Sequence, residues 1–159
     1  MPLLVAAALA AALAVALSAA APNPVAWKIE DAPAKPVKPG ARFTLKLVAH
    51  IEEGWHLYSM KSLPEGPIAT KVWIAEGQPF QLAGEVKAPA PQTVQDPNFN
   101  MEVEFYEGRI SFSLPVRIAP GAPAGAGKIE IGASYQACND KLCLPPRTMR
   151  VEAPVEIGR

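Results

Sequence analysis

Residues 42–52 alternate with a period of two, and that pattern limits what this chain can fold into more than any other feature. Phe43, Leu45, Leu47, Ala49 and Ile51 point to one side; Arg42, Thr44, Lys46, His50 and Glu52 point to the other, with Val48 the one exception. Successive side chains of a strand face opposite sides of a sheet, so this is the pattern of a half-buried strand rather than of a helix. Shorter runs of the same kind recur at residues 55–59, 70–75, 80–86, 103–106, 109–118, 128–136 and 148–157. Gly, Pro and Asn separate them, as at Gly40, Gly54, Pro64-Glu65-Gly66, Gly77 and residues 89–91. The chain's 18 prolines oppose long helices, because proline removes a backbone donor and clashes with the preceding turn. About seven to nine short strands joined by turns predict an all-β chain folded as an immunoglobulin-like β-sandwich. Its 159 residues suit a single domain, since domains commonly run to about 100–200 residues. Residues 119–127 read as a flexible connection inside that domain.

Residues 1–21 carry no charged side chain and are almost all Ala, Leu and Val. Such a run predicts a secretory signal segment, with Ser18-Ala19-Ala20 as a small-residue cleavage site. It is also long enough for an uncleaved membrane anchor, for which about 20 apolar residues suffice. Either reading places residues 22–159 outside the cytoplasm, in the periplasm or an equivalent envelope compartment. All 15 basic and 15 acidic residues fall after Ala21, so the folded part is neutral overall. Without clustered Lys and Arg it offers little to a phosphate backbone, and no nucleic-acid partner is expected. A monomer is expected.

The chemistry concentrates in one place. The only cysteines lie in Tyr135-Gln136-Ala137-Cys138-Asn139-Asp140-Lys141-Leu142-Cys143-Leu144-Pro145-Pro146. A strand leads in, Asn139-Asp140 supplies turn chemistry, and a strand follows the prolines. If Cys138 and Cys143 flank a four-residue hairpin loop, they stand opposite each other with Cα atoms about 4.5–5.5 Å apart, within disulfide range. Closing so short a loop contributes only about 2 kcal/mol in the chain-entropy model, against about 4–5 for a loop near 100 residues. A short exposed loop would leave the sulfurs accessible, and exposed disulfides tend to be the labile ones. A plain hairpin staple in an oxidising compartment remains the alternative. Lys141, Arg147 and Arg150 would favour a thiolate and Asp140 would oppose it, so local charge does not decide between them.

Other groupings carry less. His50 and His56 with the two cysteines make four potential zinc ligands, but the histidines precede the cysteines across a whole sandwich. Met60, Met101 and Met149 are scattered and read as packing residues rather than copper ligands. Glu52-Glu53 and Glu102/Glu104 read as solvated positions. No glycine-rich phosphate loop occurs, and neither a metal nor another cofactor is expected.

The string Tyr135-Gln136-Ala137-Cys138 … Cys143-Leu144-Pro145-Pro146-Arg147-Thr148 resembles the cysteine hairpin of the N-terminal periplasmic domain of DsbD. Gly54-Trp55-His56-Leu57-Tyr58-Ser59 is similar to that family's Gly-aromatic-x-Leu-Tyr segment, and Glu104-Phe105-Tyr106-Glu107-Gly108 through Leu114-Pro115-Val116 to the strands before its cysteine hairpin. The resemblance runs from about Trp27 to Ile157. It implies an immunoglobulin-like domain that relays reducing equivalents among thioredoxin-fold proteins of the cell envelope, a protein-disulfide reductase component. Cys143 would form the mixed disulfide and Cys138 would resolve it. Phe99, in Asp96-Pro97-Asn98-Phe99-Asn100-Met101, would be the lid aromatic; as a bare residue it reads equally as a plug of the core. Tyr58 would lie near the cysteines, and His56 stands where the family has a tyrosine. Four residues separate the cysteines, one fewer than in the family pattern. No Cys-x-x-Cys occurs, so a membrane electron carrier is expected as a separate protein. The reading from a different class is a non-catalytic β-sandwich adaptor with an inert hairpin staple.

Overall fold

The computed structural model describes residues 22–159; the segment read as signal or anchor lies outside them. The described residues form strands and turns without a helix. In chain order the strands are β1 (Val25–Glu30), β2 (Arg42–Ile51), β3 (His56–Tyr58), β4 (Lys71–Ile74), β5 (Phe80–Leu82), β6 (Gln92–Asp96), β7 (Met101–Tyr106), β8 (Arg109–Ile118), β9 (Gly125–Tyr135), β10 (Ala137–Cys138) and β11 (Arg147–Ile157). They make an immunoglobulin-like sandwich from three antiparallel groups ordered β1-β2-β8-β5, β10-β3-β7-β6 and β11-β9-β4. The expected β8 is found over its full span. The supposed connection at residues 119–127 is shorter than expected, because β9 starts at Gly125.

The alternation of β2 is realised. Leu45, Leu47, Ala49 and Ile51 enter the main core, with Phe43 packed against it. Val48, the break in the pattern, is fully buried on the opposite face, in register with Lys28 on β1 and Ser111 on β8. The main core draws from facing groups: Phe112, Leu114 and Val116 from β8 of the first, and Ile129, Ile131 and Ala133 from β9 of the three-stranded one. Trp27 joins them, stacked at 5.8 Å on Phe112 and tilted at 5.2 Å on Tyr135.

One continuous stretch then changes sheets. β9 pairs with β4 and β11, and two residues after Tyr135 the chain has joined β3 as β10. This short transfer positions the cysteines. Because strand side chains alternate, Ala137 of β10, Leu57 of β3 and Tyr106 of β7 face the main core. Cys138, Tyr58 and Phe105 face the other way. With Val103 they form a second, smaller core, against which Leu63, Phe99, Met101 and Cys143 pack.

Candidate functional site: the cysteine hairpin

The hairpin expected from the turn chemistry is present, and Cys138 and Cys143 form an isolated antiparallel bridge within it. They are disulfide-bonded with Cα atoms 4.0 Å apart, closer than the spacing of opposed strand residues suggested. The Asn139 side chain holds the loop: its Oδ1 accepts the Lys141 and Leu142 backbone N–H groups at 2.9 and 3.0 Å. The Asn139 N–H donates to the Leu142 carbonyl at 2.9 Å, and Leu144 N–H to Ala137 at 2.9 Å. Gln136 clamps the base, accepting from Ile68 N–H at 3.1 Å and donating to the Leu144 carbonyl at 3.3 Å. None of these bonds involves a sulfur atom, so the loop is held by contacts other than the S–S bond.

The two sulfurs are not equally accessible, which corrects the expectation that a short loop exposes both. Cys138 is 0% exposed because β10 lies in the sheet and turns this residue into the second core. Cys143 sits at the edge of that core, partly exposed. Of the basic residues named beside the hairpin, Arg150 forms an ion pair with Glu130 on β9.

Tyr58 lies under the hairpin. Its hydroxyl is 3.9 Å from Cys143 Sγ and donates at 2.6 Å to Asp96 Oδ2. Burial, reinforced by that hydrogen bond, pushes the Tyr58 hydroxyl far above the usual phenol range, so it stays protonated. Asp96 is 2% exposed at the end of β6, and its Oδ1 accepts the Asn98 backbone N–H at 2.7 Å. That bond shapes the turn of residues 97–100, in which Asn100 has φ of 50°, a conformation asparagine tolerates well. Phe99, on this turn, meets the Tyr58 ring edge-on at 5.7 Å. Asn98 Nδ2 donates to the Asn139 carbonyl at 3.2 Å, joining this turn to the cysteine loop. Phe99 thus packs on the core that holds Cys138, and its turn touches the loop that holds Cys143.

His56 is in register with Cys138 across the β3–β10 ladder. Its ring packs on Tyr58 at 5.2 Å and Phe105 at 4.9 Å. Nε2 is buried without a hydrogen-bond partner, 3.9 Å from Asp96 Oδ2. Burial lowers the histidine's proton affinity; Asp96, then Glu107 and Asp140, pull weakly the other way. The unfolded chain therefore binds this proton more readily, and the stability gained by keeping the ring neutral is lost as pH falls below about 6.5 through the lower folded value.

Asp96 is the site residue the sequence reading did not single out. Its only local signal is an acidic side chain before a Pro-Asn turn; its partner Tyr58 is 38 residues away. His50 is exposed on β2, opposite Arg109, and is not brought to the cysteines. Among the described residues no three His, Cys, Asp or Glu side chains gather as a metal site, and no helix is long and apolar enough to cross a membrane.

Residues 26–154 match the protein family described as "Thiol:disulfide interchange protein DsbD, N-terminal". No curated protein sequence matches. Among solved structures, the DsbD N-terminal domain of Neisseria meningitidis in its reduced form superposes with a TM-score of 0.51 at 15% identity, over 76% of this chain and 80% of that one. AggA, the major subunit of aggregative adherence fimbriae type I from Escherichia coli, is also similar, at a TM-score of 0.40 and 10% identity over 85% of this chain and 95% of that one. With the cysteine hairpin and sandwich above, the match over residues 26–154 shows that this chain belongs to the DsbD N-terminal domain family.

Proposed function

We propose that this chain performs thiol–disulfide exchange through Cys138 and Cys143, passing reducing equivalents between thioredoxin-fold proteins of the periplasm. Residues 1–21 serve as its export signal or anchor and residues 22–159 as the exchange domain; a membrane electron carrier supplies or removes the electrons. The observation that carries this reading is the unequal exposure of one disulfide on a hydrogen-bonded hairpin, with Cys143 partly exposed and Cys138 fully buried. An incoming thiolate meets Cys143, a mixed disulfide forms there, and Cys138 leaves as thiolate without departing from the site. The deciding experiment equilibrates the folded chain with glutathione and dithiothreitol buffers and traps the thiols. A reduction potential of roughly −120 to −270 mV is expected for an exchange protein. A value well below about −300 mV would make the bridge a staple and the chain a non-catalytic adaptor.

Phe99 acts here as a lid. Phe99→Ala removes an aromatic pair worth about 0.5–1.5 kcal/mol, so reduction of the bridge by a small phosphine should speed up by as much as about tenfold. Stopped-flow thiol release measures it. An unchanged rate would leave Phe99 as a plug of the second core with no gating role.

A further inference from the structure

His56 and Asp96 form an arrangement that packing alone does not explain. Asp96 Oδ2 is shared, accepting the Tyr58 hydroxyl at 2.6 Å and facing His56 Nε2 at 3.9 Å. The His56 side chain is 12% exposed and that of Asp96 2%, and Nε2 has no hydrogen-bond partner. A buried polar atom without a partner is unfavourable. Closing the gap by about 1 Å would bring Nε2 and Oδ2 to ordinary hydrogen-bond distance with one proton between them. At the other end of the same chain of groups, Tyr58 Oη lies 3.9 Å from Cys143 Sγ. Sulfur, phenol, carboxylate and imidazole thus stand in sequence, with the gap between carboxylate and imidazole left to close.

We propose that His56 takes up the proton that the Cys143 thiol gives up on becoming a thiolate, with Tyr58 and Asp96 as the connecting groups. This deepens the exchange function proposed above and rests on it. In the reduced protein the Tyr58 hydroxyl points its hydrogen at Asp96, so its oxygen accepts from the Cys143 S–H. The thiol proton passes to Tyr58 as the tyrosine's own proton passes to Asp96, and Asp96 delivers it to His56 Nε2. An imidazolium then faces the Asp96 carboxylate. The hydrogen that Tyr58 received from Cys143 lies between the two, so the hydroxyl now donates to the Cys143 thiolate. Hydrogen bonds to a charged partner are roughly twice as strong as neutral ones.

The thiolate attacks a partner disulfide. A Cys143–partner S–S bond forms, the partner's S–S bond breaks, and the released thiolate takes a proton from water. Cys138, deprotonated to solvent, then attacks Cys143, closing the Cys138–Cys143 bond and releasing the second partner thiolate, which is protonated likewise. His56 returns its proton to water. The domain's two thiols become one disulfide with loss of two protons and two electrons, and the partner disulfide gains both. His56 is a positioning residue: it reaches the reacting sulfur only through Asp96 and Tyr58.

The titratable groups around the ring are Asp96 on β6, Tyr58 on its own strand, Glu107 after β7 and Asp140 on the cysteine loop, with Cys138 opposite on β10. Phe105 on β7 presents an apolar face. All three acids favour the imidazolium, while burial opposes it.

The test follows oxidation of the reduced full chain by 4,4′-dithiodipyridine in stopped flow, from acid to mildly alkaline pH. The native chain is expected to show a shoulder in log rate below the ordinary thiol range. His56→Gln should remove it and slow oxidation at pH 6 by about tenfold, the size of a coupling of one pH unit, and Asp96→Asn should do the same. As a readout independent of variant folding, the His56 ring resonance in the native chain should titrate differently in the oxidised and reduced forms. A folded His56→Gln chain with the native pH profile, or a ring titration unaffected by oxidation state, would overturn the inference while leaving the exchange reading intact. A native bridge too stable to exchange would overturn both.

Discussion

Cys138→Ala is expected to trap a mixed disulfide with a thioredoxin-fold probe, and Cys143→Ser to trap none. The difference follows from burial. In the first variant the remaining thiol is Cys143, partly exposed at the edge of the second core. It attacks a partner disulfide, and no neighbouring thiol is left to release the adduct. In the second the remaining thiol is Cys138, 0% exposed in a strand that pairs with β3. A partner would have to open that strand pairing to reach it.

Folding does not produce the contrast. Both substitutions remove the same short cross-link, worth about 2 kcal/mol in the chain-entropy model, so their thermal midpoints should fall together. Alanine suits the buried position, since a serine hydroxyl there would lack a partner; at the edge position water satisfies serine. The adducts are read by non-reducing electrophoresis and mass. Equal trapping by both variants would sink the division of roles between the cysteines.

How far the sequence led depends on which residues touch water. β2 and β8 are ten-residue strands with one buried face each, and a period of two exposed them at once. β6 escaped notice because Gln92, Thr93, Val94 and Gln95 are all exposed and only Asp96 is buried. An edge strand solvated on both faces has no apolar period to read. β10 is two residues long, below the length at which alternation means anything. The cysteine hairpin was legible because turn chemistry is local: Asn139 bonds to residues two and three ahead. The group behind it was not. Tyr58, His56 and Asp96 meet only because β3, β7 and β6 lie side by side, and that order depends on contacts 38 and more residues apart. The same cause explains the error over sulfur exposure. Loop length was visible, whereas the pairing of β10 with β3, which turns Cys138 inward, was not.

Phe112→Ala should give the largest loss of stability of any single change considered and should leave the exchange chemistry almost untouched. Phe112 is 0% exposed at the centre of β8, in register with Leu47. Its ring stacks on Trp27 at 5.8 Å and meets Tyr106 edge-on at 6.0 Å. Truncating so enclosed a ring leaves a cavity and costs about 3–5 kcal/mol, a large part of the roughly 5–15 kcal/mol that holds a domain folded. The thermal midpoint should fall by roughly 10–20 °C. Tyr106 connects this ring toward the site, pairing with Leu57 on β3, yet both residues face the main core while Tyr58 and Cys138 face away from it. The sheet β10-β3-β7-β6 thus separates a core that supplies stability from a smaller one that surrounds the disulfide. Well below the midpoint, the exchange rate of Phe112→Ala should stay within about twofold of native, the scale of coupling between independent sites. Tyr58→Phe should do the reverse. It costs only about 1–3 kcal/mol, for the Asp96 oxygen left without its donor, but removes the one hydroxyl beside Cys143. If Phe112→Ala slowed exchange as much as Tyr58→Phe, the two cores would be one mechanical unit, and the chemistry would depend on the packing of the whole sandwich.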